Sequence, residues 1–225
     1  MRQTRAVVFD FDGVILESVD VKTRAFVALF DHWPEHAESI RRLHLDNAGM
    51  SRYEKFARIH RDILGVPLDD TERARLGRDF GRLIREEMLS CEFVAGAREL
   101  LERFAASYTL FVASGTPEEE MREIVSARGL DRFFTEVYGS PASKAEIMRR
   151  ILAEHELSSK EVVLVGDALS DYEGARAVDV PFVARVPPGD ASIFPGDGVL
   201  ATVADLRELA RRWDALEPVV AEWPA

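Results

Sequence analysis

Apolar residues along this chain follow two rhythms. From about residue 18 to residue 90 they recur at helical spacing, in the segments 21–33, 52–64 and 71–89. Pro34, Gly49 and the Gly65-Val66-Pro67 break separate these segments. From about residue 93 the pattern changes to short apolar runs at 108–113, 136–139, 162–166 and 182–186, alternating with helical stretches that include 117–128 and 144–156. One further run, Val7-Val8-Phe9, lies near the start and is rich in β-formers. Strands alternating with helices predict a parallel sheet with helices packed on it. The first strand has no strand partner in the helical stretch that follows, so its expected place is in the same sheet. The fold class is therefore α/β, with a core of residues 1–17 and 91–225 and an inserted all-helical cap of residues 18–90.

An insertion that leaves the sheet just after its first strand sits over the edge where open α/β sheets bind ligands. It is expected to act as a lid, with hinges near residues 16–18 and 90–93. The Phe26, Leu29, Phe30 and Trp33 stripe has helical spacing and reads as lid core. Glu217-Pro218 and Trp223-Pro224 read as a loose tail.

Composition narrows the field. A chain of 225 residues, 47% hydrophobic and 31% charged, can bury a core without covalent staples. Its single cysteine, Cys91, excludes an internal disulfide and reads as a buried or hinge thiol. A net charge of -11 opposes binding to nucleic acid or acidic membranes. The start lacks the apolar region of a secretory signal, and no later stretch is suited to span a bilayer. The default location is the cytoplasm, and oligomeric state is left open.

Candidate chemistry gathers at the strand ends. Asp10 and Asp12 follow the first strand, and side chains two apart in an extended segment point the same way. The second strand runs into Ser114-Gly115-Thr116. These residues offer hydroxyls and a close backbone approach for an anion, or equally a helix cap with Thr116 capping and Pro117 at the first helical position. Lys144 opens a helix, where the macrodipole favours anions; it is either a solvated surface lysine or a cation facing a site. Asp167 and Asp171 close the pattern at the fourth strand. Four carboxylates in one pocket need a divalent metal and Lys144 as compensation, and magnesium suits carboxylate, water and phosphate oxygens.

Asp10-Phe11-Asp12-Gly13-Val14, Ser114-Gly115-Thr116, Lys144 and Gly166-Asp167 with Asp171 together resemble the four motifs of the haloacid dehalogenase-like hydrolase superfamily, in the family's order. The resemblance covers essentially the whole chain and includes the helical cap of the phosphoglycolate phosphatase and β-phosphoglucomutase branches. It implies a Rossmann-like core and a magnesium-dependent phosphatase for a small phosphorylated metabolite, a sugar phosphate or phospho-acid. Asp10 is then the nucleophile that forms an aspartyl-phosphate, and Asp12 the acid and base. Ser114, Gly115 and Lys144 bind the phosphoryl oxygens. The metal ligands are Asp10, Asp12 through its backbone carbonyl, and Asp167, with Asp171 nearby. Asp12 favours phosphoryl transfer, because true haloacid dehalogenases lack an aspartate there. Phosphonatases of the superfamily use a cap lysine as a Schiff base, and nothing in the sequence around Lys22 or Lys55 suggests that role. Two departures, Glu17 where relatives often have Asp and Val178-Asp179 for Ala-Gly, remove no catalytic group.

A phosphomutase of the β-phosphoglucomutase type shares every core motif and is the alternative within enzymes; a catalytically silent binding protein on this fold is the alternative outside them. The lid should read the leaving group. Ser51 is expected to cap a helix, with Glu54 completing a capping box. Arg52 and Lys55 then share a face. They are either a solvent-facing basic pair or ligands for a second anionic group such as a carboxylate. The five histidines read as surface or interhelix residues.

Overall fold

The computed structural model describes residues 4–223. Strands β1 (Ala6–Phe9), β2 (Thr109–Pro117), β3 (Glu136–Ser140), β4 (Val162–Gly166), β5 (Phe182–Arg185) and β6 (Val199–Val203) form one six-stranded sheet in the order β3-β2-β1-β4-β5-β6. Every adjacent pair is parallel. The helices are α1 (Val19–Leu29), α2 (Ala37–Asp46), α3 (Arg52–Arg58), α4 (Asp70–Ser90), α5 (Ala97–Ala105), α6 (Glu118–Ala127), α7 (Lys144–Glu154), α8 (Leu169–Arg176) and α9 (Leu206–Ala221).

β1 lies between β2 and β4, as its lack of a local partner requires. All four of its side chains are fully buried, the pattern of a parallel strand covered on both faces. Alternate residues feed two cores. Val7 and Phe9 join Leu100 and Phe104 of α5, Val125 of α6 and Trp213 of α9. Ala6 and Val8 join Ile147 and Ile151 of α7 and Ala175 of α8. The result is a three-layer α/β core.

The chain from α1 through α4 is all helical, and α3 runs on into a π-helical turn, Ile59–Leu64, that ends at left-handed Gly65. Phe26, Phe30, Phe56 and Phe80 pack together there, with Phe26 and Phe80 ring centroids 4.6 Å apart. The stripe stops short of Trp33, which is 36% exposed because α1 ends at Leu29. The Ser51–Glu54 capping box does not form: Ser51 makes no side-chain cap, and Glu54 pairs with Arg58 at 2.8 Å.

Both chain crossings between the helical layer and the sheet are tied to each other. Leu16 and Phe93 form an isolated antiparallel bridge, and the Glu17 N–H donates to the Glu92 carbonyl at 2.9 Å. Arg185, at the end of β5, holds the first crossing through the Gly13 carbonyl at 3.1 Å and Glu17 Oε1 at 2.7 Å. Arg128 holds the second by donating to the Cys91 carbonyl at 2.8 Å while stacking on Phe93. Asp179 takes the left-handed turn after α8, at φ 55°.

Three elements depart from the expected pattern. β2 continues to Pro117, which pairs with Ser140 after a register shift, so Thr116 caps no helix and α6 begins at Glu118. β6 adds a strand beyond the Pro- and Gly-rich stretch around residues 187–198. The supposed tail is α9, with Pro218 inside it, docked where Trp213 Nε1 donates to the Tyr108 hydroxyl at 2.8 Å and Arg103 pairs with Asp214 at 2.7 Å. Pro224 lies outside the described residues. Among the described residues no helix is long and apolar enough to cross a membrane.

Candidate active site

Asp10 follows β1 directly and is 2% exposed. Its Oδ1 accepts from the Phe11 N–H at 2.7 Å and pairs with Lys144 Nζ at 2.9 Å. Lys144 reaches it from the first position of α7, where Ser143 and Glu146 supply a capping box that leaves the lysine free to turn inward. The same ammonium pairs with Asp171 Oδ1 at 2.5 Å and donates to the Ala113 carbonyl at 2.6 Å. Lys144 is therefore a buried site cation and not a solvated one.

Asp10, Asp167 and Asp171 present carboxylate oxygens within 4.8 Å of one another. Burial, then the Asp171 charge, pushes the Asp10 carboxyl up to about 7 against the pull of Lys144. Burial and the charges of Asp10 and Asp171 raise Asp167 well above the usual range. For Lys144 burial works downward, but Asp10 and Asp171 outweigh it and hold the pKa above its ordinary value. One ammonium thus faces three carboxylates, a balance that a divalent cation completes. Gly13 makes room for the Asp167 carboxylate: at φ +74°, a Cβ there would stand 2.0 Å from Asp167 Oδ2. An all-oxygen donor set of this kind fits a hard cation. Asp171 Oδ2 already accepts from the Ala168 N–H at 3.1 Å and its Oδ1 is ion-paired with Lys144, so it stands behind Asp10 and Asp167 in such a role.

The Asp12 carboxylate is not in that cluster. Its Oδ1 accepts from Ser18 at 2.7 Å, and its Oδ2 is ion-paired with Lys22 of α1. Lys22 also donates to Thr116 Oγ1 at 2.7 Å. Burial works to raise the Asp12 pKa, but Lys22, Ser18 and Thr116 outweigh it and hold the group below its usual value. Ser114 Oγ accepts from the Thr116 N–H at 3.1 Å, within the extended Ser114-Gly115-Thr116 end of β2.

The helical layer closes this site. Gly49, at φ +73°, lies so near the sheet that a Cβ on Gly115 would stand 2.3 Å from the Gly49 carbonyl oxygen. Ser170 of α8 donates to the Ala48 carbonyl at 3.2 Å. Arg52 forks onto Glu120 of α6 at 2.6 and 2.9 Å and stacks over Phe80. Beneath these contacts is a cavity of about 60 Å³ lined by Asp10, Asp12, Gly115 and Asp167 from the sheet side and by Lys22, His44, Arg52 and Lys55 from the helical side.

Arg52 and Lys55 therefore share the cavity rather than facing solvent. Lys22, His44 and Glu120 were not expected at the site. Lys22 had a visible signal: it lies on the Val19–Phe26 face of α1, a charge on a buried stripe. His44 likewise follows Ile40 on the buried face of α2. The cap lysines also have more around them than the sequence suggested. Lys22 meets Asp12, and burial together with the Lys22 charge pulls the Lys55 ammonium down to about 7.

This geometry, acids and a lysine at the carboxyl edge of a parallel sheet under a helical layer, has a clear counterpart among known proteins. The model of the haloacid dehalogenase-like hydrolases matches residues 7–185. The chain belongs to this hydrolase family. Within it, a phosphoglycolate phosphatase from Rhodospirillum rubrum is 26% identical over 91% of this chain and 89% of its own. A 5'-nucleotidase from Pseudomonas aeruginosa is 26% identical over 75% of this chain and 76% of its own. Among solved structures, CbbY from Rhodobacter sphaeroides in complex with phosphate superposes with a TM-score of 0.73 at 20% identity, covering 92% of this chain and 96% of that one. The haloacid dehalogenase-like fold thus extends over sheet and helical layer alike.

Proposed function

We propose that this phosphoric monoester hydrolase acts with magnesium on a small phosphorylated metabolite, through a phosphoryl group carried on Asp10. The observation that carries the reading is the state of Asp10: Oδ1 is held by the Phe11 N–H and Lys144, while Oδ2 has no hydrogen-bond partner among the described residues. An oxygen so oriented is placed to attack phosphorus. The domain division at residues 18 and 90 belongs to the same reading, with the helical layer as a lid that shields the reaction from bulk water. Small phospho-acids and nucleotides, named for the relatives, are the substrate types that motivate the test below.

Asp10 Oδ2 bonds to phosphorus as the ester P–O bond breaks, and the leaving oxygen takes a proton from Asp12. A phosphate dianion arriving beside Asp12 raises its pKa by like-charge repulsion, which suits that donation. Water then attacks phosphorus, Asp12 takes its proton, and the bond to Asp10 breaks. Ser114, the Gly115 N–H and Lys144 hold the phosphoryl oxygens while charge redistributes. Asp10, Asp167 and the Asp12 carbonyl would hold magnesium, with Asp171 behind them; when bound, the ion neutralises phosphate charge and aligns the group with Asp10.

The test is phosphate release from a panel of sugar phosphates, phospho-acids and nucleoside monophosphates, with magnesium and with EDTA, beside Asp10→Asn. Magnesium-dependent release that Asp10→Asn abolishes supports the reading. Isomer formation without net release, dependent on a bisphosphate, would identify a mutase instead.

A further inference from the structure

We infer that Lys55 and His44 form a receptor for a carboxylate on the substrate, so that the enzyme is selective for short phosphorylated carboxylic acids. This rests on the phosphatase reading above and names its substrate class.

Three cap cations line the cavity, and two already have anions. Lys22 is paired with Asp12, and Arg52 with both oxygens of Glu120. Lys55 has none. It is 3% exposed, and its Nζ meets only His44, at Nδ1 3.1 Å and at the carbonyl 3.2 Å away, with the Phe26 ring centroid 5.4 Å off. No carboxylate among the described residues pairs with it. A buried ammonium without a counter-ion is costly, and this one faces a cavity. The missing anion is then the occupant of that cavity.

His44 sharpens the choice of anion. An ammonium only donates, so the Nδ1 beside it accepts, and the ring proton sits on Nε2. Burial and the Lys55 charge keep the ring neutral. Nε2 has no partner among the described residues, and His44 lines the cavity. His44 thus fixes the ammonium at the cavity wall through Nδ1 and its carbonyl, leaving Lys55 to meet the anion, while Nε2–H gives the same cavity a separate neutral donor; one cation without a second is the match for a singly charged carboxylate. Phe26 and Phe80 supply the apolar wall, and a cavity of about 60 Å³ limits the carbon chain between phosphate and carboxylate to a short one.

Phosphoglycolate and 2-hydroxyethyl phosphate test this, because they have equal chain length and differ in the carboxylate. Wild type, Lys55→Met and His44→Phe are compared by kcat/KM for both, and by calorimetric binding of both to the same set carrying Asp10→Asn with magnesium. Lys55→Met keeps the side-chain volume, and thermal melting checks that each variant folds. Wild type should prefer the acid by about 10- to 100-fold, the value of a charge-assisted pair. Lys55→Met should erase most of that preference, mainly through KM, and His44→Phe part of it. Equal use of the two compounds by wild type, or an equal loss of both in Lys55→Met, overturns the inference. If neither compound releases phosphate while another member of the panel does, the phosphatase reading survives without these substrates; if no member does, that reading fails on its own. The carboxylate receptor then stands or falls on whether binding still prefers the acid and loses that preference in Lys55→Met.

Discussion

Lys22, on the first helix of the cap, is ion-paired with Asp12, on the loop after the central strand. Lys22 thus holds Asp12 ionised, the state in which it takes a proton from water. Lys22→Met should lower kcat by about tenfold or more, part of what general acid–base catalysis supplies. It should also move the limb of the pH–rate profile governed by Asp12 to higher pH, since loss of the ammonium leaves burial to raise the carboxyl. A profile that drops without shifting would show that Lys22 acts only by packing.

Removing metal should destabilise the protein in a pH-dependent way. Asp10 and Asp167 have folded-state pKa values above their ordinary 3.8. A raised carboxyl gives stability that is complete below its unfolded pKa and lost as pH rises through the folded one. In EDTA the melting temperature should therefore fall between about pH 4 and pH 8, beyond any fall seen in an Asp167→Asn variant. Magnesium should restore more at pH 8 than at pH 5, because it binds the deprotonated cluster. Melting curves at the two pH values, with magnesium and with EDTA, read both effects.

Much of this architecture was legible in the sequence where the signal is local. Val7, Val8 and Phe9 announce a doubly covered strand, and Asp10, Lys144 and Asp167 stand at element ends where turn chemistry marks them. What was not legible depended on packing. Periodicity puts Lys22 and His44 on buried helix faces but does not say whether such a face meets core or cavity. Ser114, Gly115 and Thr116 are turn formers by composition, yet β2 runs through them, with Ala113 and Pro117 on either side paired to β3. Pro218 reads as a chain end, while the contact of Trp213 with Tyr108 holds its helix in place. Glu17 in place of a shorter aspartate finds its reason only in Arg185, two strands away in the sheet.

The Arg52–Glu120 fork joins the cap to α6, and it should act as a latch on the closed lid. Arg52 is buried and Glu120 partly so, which places the pair between the weak surface case and the strong buried one. Arg52→Ala and Glu120→Ala should each destabilise by about 1–2 kcal/mol, with a coupling of similar size in the double variant. Solution scattering should show a larger radius for Glu120→Ala than for wild type. An unchanged radius with additive energies would remove the latch.

Lys55 carries a cost in the unliganded protein that its removal should relieve. Its pKa falls from 10.5 to about 7, with burial the main cause, Lys22 next, and Asp12 and Asp167 opposing. His44, the other titratable neighbour, is held neutral throughout. Below pH 7 the ammonium is charged in both folded and unfolded chains, and the folded one bears the full penalty. Between about pH 7 and 10.5 the folded chain sheds its proton first, so the unfolded chain binds more protons and stability rises with pH. Lys55→Met should then be more stable than wild type by a few kcal/mol at pH 6, since each tenfold loss of proton affinity on folding is worth about 1.4 kcal/mol. The gap should close by about pH 10, as denaturant melts at the two pH values would show. Extra stability at pH 6 in a variant that has lost its preference for the acid would mark Lys55 as a residue kept for binding at the expense of the fold.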